Sequence, residues 1–96
     1  MIEGQSSRGA EVLIRSVDDG EILFTRGYEL GRRVYVAPGS HKLSVMCRKH
    51  FDYGSKLVGS VVTVNAVPGN AYMIEIESFR MEPLECDVRV RAGDAV

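Results

Sequence analysis

No stretch of about 18 apolar residues occurs in the 96-residue chain, so nothing in it reads as a membrane-spanning helix. There is no basic excess either. Twelve Lys and Arg stand against thirteen Asp and Glu, a formal net charge of -1. Electrostatic binding of nucleic acid needs clustered cations and is not expected. Arg32-Arg33 and Arg48-Lys49-His50 are the only short basic groups, and they read as solvated strand-end or loop charges, with a contact surface as the alternative. Internal repeats and low-complexity tracts are absent. No segment keeps a helical period over ten residues; Gly27–Val34 comes nearest, and its glycines cost about 1 kcal/mol each in a helix interior. Motifs for a nucleophile elbow, a phosphate loop, a zincin or a zinc-ligand pair are missing. No set of residues supplies a nucleophile, a base and an orienting group together, so a non-enzymatic protein without cofactor or metal is expected. Met1–Gln5 lacks the basic start and apolar core of a signal peptide. Two expectations compete: a cytoplasmic protein, or an exported one whose leader is not in this chain. The polar stretch Glu3–Gly9 suits a tether to a membrane anchor, or a frayed terminus.

What is present is strand signal. At 45% hydrophobic and 26% charged, the composition is that of a single globular domain. A chain this short buries only about two-thirds of its unfolded surface, so its stability margin is modest. Ala10–Val17 is rich in aliphatic and β-branched residues, and Asp18–Glu21 is a turn signal. Residues 22–31 are less regular, and Arg32–Val36 reads as a short strand before the turn at Pro38-Gly39. From His41 to Lys49 the alternation is clean, with Leu43, Val45 and Cys47 on one face. Phe51–Ser55 reads as a loop, Lys56–Val67 as a long strand with a bulge or bend at Gly59, and Pro68-Gly69-Asn70 as the strongest turn. Ala71–Phe79 turns Tyr72, Ile74 and Ile76 inward and Glu75 and Glu77 outward. Glu85–Ala92 turns Cys86, Val88 and Val90 inward and Asp87, Arg89 and Arg91 outward. Six or seven short strands with regularly spaced turns predict an antiparallel sandwich or small barrel.

Several residues invite a chemical reading. Cys47 and Cys86 both fall on the apolar phase of their strands. A disulfide between them, two buried thiols, or a metal site are the alternatives, the last without a close second ligand. A disulfide would close a loop of about 40 residues and place the protein outside the cytoplasm. His41 shares a phase with Cys47 but lies six residues away, roughly 20 Å along a strand, which excludes a dyad within it. A structural role is expected for His41, capping the turn or packing on a tyrosine. Glu75 and Glu77, about 7 Å apart, have the spacing of a glycosidase pair. Cross-strand ion pairs to Arg89 and Arg91 are the plainer account. Of the four tyrosines, Tyr72 reads as a core or corner residue with its hydroxyl on backbone. Phe51 and Tyr53 are the candidates for exposed contacts.

The run from Tyr35 to Cys47, the later Val62–Ser78 and the final Cys86–Val90 resemble small bacterial cell-envelope domains, many of them lipoproteins. The first element also resembles the "PGxHxLxV" pattern of PEGA-type surface-layer domains. The resemblance covers about Val34 to Val90. It implies an immunoglobulin- or transthyretin-like sandwich that is periplasmic or tethered to the outer membrane. It makes Pro38, Gly39, His41, Gly69 and Tyr72 fold-defining positions. The expected organisation is a flexible segment over residues 1–9, one all-β antiparallel sandwich of about seven strands over 10–92, and a tail at 93–96. The expected role is structural, scaffolding or protein-interacting, with another envelope protein as partner, no nucleic acid, and the membrane reached only through a removed leader or lipid anchor. A small-ligand or glycan-binding module using the tyrosine-bearing loops is the alternative.

Overall fold

A computed structural model describes residues 1–20 and 32–92. The irregular stretch expected at 22–31, with Tyr28, and the tail at 93–96 lie outside the described residues. The fold is all-β: β1 (Ile2–Gly4), β2 (Ser6–Ser7), β3 (Ala10–Val17), β4 (Arg33–Val34), β5 (Gly39–Phe51), β6 (Gly54–Ala66), β7 (Tyr72–Met81) and β8 (Leu84–Ala92). They form two four-stranded sheets, in the orders β4-β1-β7-β8 and β2-β3-β5-β6. One core lies between them. Ile2, Tyr72 and Ile74 come from the first sheet; Val12, Ile14, Leu43, Val45, Val64 and Ala66 come from the second. Alternation produces this directly, because every second residue of a strand faces the same way.

Among the described residues there are eight strands where about seven were expected, and residues 1–9 supply two that were not expected. Residues 1–9, expected outside the sandwich, supply β1 and β2. Ile2 is fully buried. β1 pairs in parallel with β7, so the sheets are not wholly antiparallel. The chain then changes sheets at Gln5. Gln5 N–H donates to Ile74 O at 2.9 Å in the first sheet, and Gln5 O accepts from Val12 N–H at 2.8 Å in the second. Its side-chain oxygen takes the Ile76 N–H at 2.8 Å. One residue thus meets backbone groups of both sheets, which is why a polar stretch without periodicity can still be part of the core architecture. Gly4 makes the crossing possible, since a Cβ there would overlap the Val12 carbonyl, with the carbonyl carbon at 2.9 Å.

Two local expectations are corrected. The pairing of β5 with β6 runs without interruption from Gly39↔Ala66 to Phe51↔Gly54, so Gly59 marks no bulge. Phe51–Ser55 is not an open loop. The hairpin closes through Asp52 and Tyr53 alone. The irregularities fall instead between Ile14 and Ser16 and between Ile76 and Ser78. The second inserts Glu77, so that Ser78 opposes Asp87 and Phe79 opposes Cys86. An inserted residue reverses the faces of everything after it. Phe79, outward by simple alternation, therefore shares the inner face with Cys86.

Candidate interaction surface

Cys47 of β5 and Cys86 of β8 form a disulfide that joins the sheets, with their Cα atoms 6.6 Å apart. Cys47 is fully buried and Cys86 nearly so. The sandwich between Cys47 and the Pro38 and Pro68 turns is filled by aliphatic side chains. Beyond the disulfide, towards the other end, the inner face changes character.

There Phe51 stacks on Tyr53, centroids 5.3 Å apart and planes 6° from parallel, and Phe79 lies 6.4 Å from Phe51. Lys49 Nζ sits 5.4 Å from the Phe79 centroid and 5.9 Å from that of Phe51. Tyr53 is 72% exposed, and Met81 and Leu84 at the second hairpin turn are also exposed. Phe51 and Tyr53 thus meet at one end of the domain, joined by Phe79 and Lys49. Unbroken alternation along β7 could not place Phe79 there; the cue would have been the need for Phe79 to face the same way as its cross-strand neighbour Cys86.

β6 is the outermost strand of its sheet. β8 runs close to it, yet no ladder joins them among the described residues. Along its outer face Leu57 is 52% and Val61 60% exposed, on either side of exposed Gly59. Met46 faces Gly59 across the β5–β6 ladder and extends this apolar strip.

The opposite end of the domain holds the Pro38-Gly39 and Pro68-Gly69 turns. Val67 N–H donates to the Tyr72 hydroxyl at 2.8 Å, which ties down the Pro68 turn, where Gly69 takes a φ of +82°. Such a φ favours glycine. His41 bridges two acceptors. Its Nδ1 lies 2.7 Å from Asp18 Oδ2, and its Nε2 lies 2.6 Å from Ala37 O. Asp18 Oδ1 accepts the Lys42 N–H at 2.8 Å. Only the imidazolium donates from both nitrogens, so this geometry holds the cation. The hydrogen bond to Asp18, and next the Ala37 carbonyl, raise the His41 pKa above its ordinary 6.5. The bond to His41, then that to Lys42 N–H, lower Asp18 below its ordinary 3.8. His41 therefore contributes stability that is complete below pH 6.5 and lost as pH rises through its raised pKa. The Asp18 contribution is present above pH 3.8 and lost as pH falls through its lowered pKa. Urea unfolding at about pH 5.5 and about pH 9 checks this: the midpoint is expected to be higher at the lower pH. His41→Gln should shrink that difference, and an equal difference in the variant would contradict the assignment.

Several carboxylates are neutralised locally. Arg89 Nε and Arg91 Nε both reach Glu75, at 3.2 and 2.8 Å. Glu77, displaced by the insertion, takes part in none of the ion pairs among the described residues, so the expected Glu75–Glu77 pairing with two arginines is corrected. Glu11 gathers Arg48 at 2.8 Å and Arg32 and His50 at 3.7 Å. Arg33 reaches Glu3 at 3.4 Å. Two hollows of about 350 and 230 Å³ flank Tyr72, one by Glu3, Met73 and Arg91, the other by Val36, Pro38 and Val67; neither is lined by Phe51 or Tyr53. Among the described residues no His, Cys, Asp or Glu group is placed to hold a metal ion, and no helix is long and apolar enough to cross a membrane.

Compared with protein-family models, curated proteins and solved structures, the chain has no match.

Proposed function

We propose that the protein is an immunoglobulin- or transthyretin-like domain of the bacterial cell envelope, non-enzymatic, with a structural or scaffolding role exercised by binding another envelope protein along β6. The observation that carries the reading is β6 itself: thirteen residues long, outermost in its sheet, with Leu57 and Val61 exposed along it. Unpaired backbone groups on an outer strand are a template for a further strand, and protein edges are commonly blunted where no partner is intended. The Cys47–Cys86 disulfide supports an oxidising location, such as the periplasm or a site tethered to the outer membrane. The alternative, a small-ligand or glycan module using Phe51 and Tyr53, is less well supported, because the two rings stack on each other and neither hollow includes them.

A photo-crosslinking residue at Val61, introduced in the native host, tests the interaction. A discrete adduct is expected from Val61 and none from Glu77, on the other sheet. The partner recovered should then bind the wild-type protein and lose about tenfold in affinity with Val61→Lys. Equal crosslinking from both positions, or recovery of the native protein from the cytoplasm with both thiols reduced, would contradict the reading.

A further inference from the structure

The mouth between the β5–β6 and β7–β8 hairpins carries a charge that no ion pair among the described residues balances. Inner-face positions beyond the disulfide are Lys49 and Phe51 on β5, Lys56 on β6, Phe79 and Met81 on β7, and Leu84 on β8, by their pairing with Cys47, Val58 and Cys86. Lys49 and Lys56 are direct cross-strand partners. Like charges so placed repel one another. No ion pair among the described residues involves either lysine. The outward cations beside them are all matched: Arg80 holds Glu85 and, at 2.9 Å, Asp87, while Arg48 holds Glu11. The acids of the hairpin turns, Asp52 and Glu82, do not reach the lysines. The ring faces of Phe51 and Phe79 compensate Lys49 in part. Lys56 is exposed and lacks even that.

We infer that this mouth reads an acidic side chain on an extended segment of the partner protein, added as a strand to the free side of β6. The inference rests on the β6 reading above and specifies the partner's chemistry. A residue of the added strand that opposes Lys56 faces the same side of the sheet as Lys56. A carboxylate there meets the exposed Lys56 ammonium, with Lys49, whose ammonium lies against the Phe51 and Phe79 rings, one strand further in. The partner's side chain two residues further along, towards the hairpin turns, faces the same way and lies on the level of Gly54 and Phe51, so an apolar residue fits there.

The test is selection of displayed random 12-residue peptides on the intact protein, with amide exchange to locate the bound peptides. Peptides that protect β6 are expected to be enriched in Asp or Glu, with an apolar residue two positions from the acid. Their affinity should fall at least about tenfold with Lys56→Glu and less with Lys56→Gln. The substituted side chain is exposed, and an unchanged circular dichroism spectrum and unfolding midpoint show that each variant is folded. Peptides that protect β6 without acidic enrichment, or whose affinity ignores Lys56→Glu, would overturn this inference and leave the β6 reading standing. Failure to select any peptide that protects β6 counts against both.

Discussion

Replacing both Cys47 and Cys86 with alanine is expected to remove about 4 kcal/mol of stability, measured as a shift of the urea midpoint. The bond spans 39 residues of sequence. Opening a loop of that size restores conformational freedom to the unfolded chain, which in the loop-entropy account is worth about 4 kcal/mol. A domain this small has a total stability on the order of 5–10 kcal/mol. Loss of the bond therefore takes a large share of the whole. Treatment of the wild-type protein with a reductant should give the same shift. The placement of the bond adds a local effect. Apart from it, the aliphatic core stops short of the Phe51 and Phe79 end, so the reduced protein should lose order first in the two hairpins beyond Cys47 and Cys86. Faster amide exchange there than at Leu43 or Ile74 would show it. An unchanged midpoint in the double variant would mean that the two sheets are held together without the bond.

Gly4→Ala is expected to cost about 3 kcal/mol, through a mechanism unrelated to glycine's flexibility. The added Cβ would occupy the place of the Val12 carbonyl. Both elements in conflict are backbone, so no rotamer change relieves the overlap. Either β1 leaves the first sheet or β3 moves in the second. The first course exposes Ile2, withdraws the acceptor Met1 O from Tyr72 N–H, and undoes the contacts Gln5 makes with Ile74, Val12 and Ile76. Gly9→Ala is the control, since a Cβ there meets nothing within 4 Å. Equal stability of the two variants would contradict the sheet crossing at Gln5.

Much of the fold was legible in the sequence because the long strands obey a single rule. The alternation of Leu43, Val45 and Cys47, and of Cys86, Val88 and Val90, identifies inward faces by burial alone. It also sets the two cysteines on facing surfaces. Turn chemistry at Pro38-Gly39 and Pro68-Gly69 is equally local. The rest depends on distant parts of the chain. Ile2 is followed by a polar stretch and gives no period; its burial depends on β7, seventy residues away. The parallel pairing of β1 and β7 has no local signal for the same reason. The insertion of Glu77 is invisible to alternation, yet it decides that Phe79 joins Phe51 and Lys49. His41 was placed at the turn by its position after Pro38-Gly39, whereas its partner Asp18 belongs to a turn twenty-three residues earlier. Phe51 and Tyr53 were recognisable as contact candidates from their place in the 51–55 stretch; Lys56 was not, because its meaning comes from standing opposite Lys49 with no ion pair to either among the described residues.

Amide hydrogen exchange along β6 tests the central claim most directly, measured on the protein alone and with the partner captured through Val61. In the free protein every second amide of β6 should exchange quickly, because only one side of the strand is bonded to β5. With the partner bound, those same amides from Gly54 to Ala66 should become protected, in alternation. Protection confined to the Tyr72 end of the domain, with β6 unchanged, would contradict it.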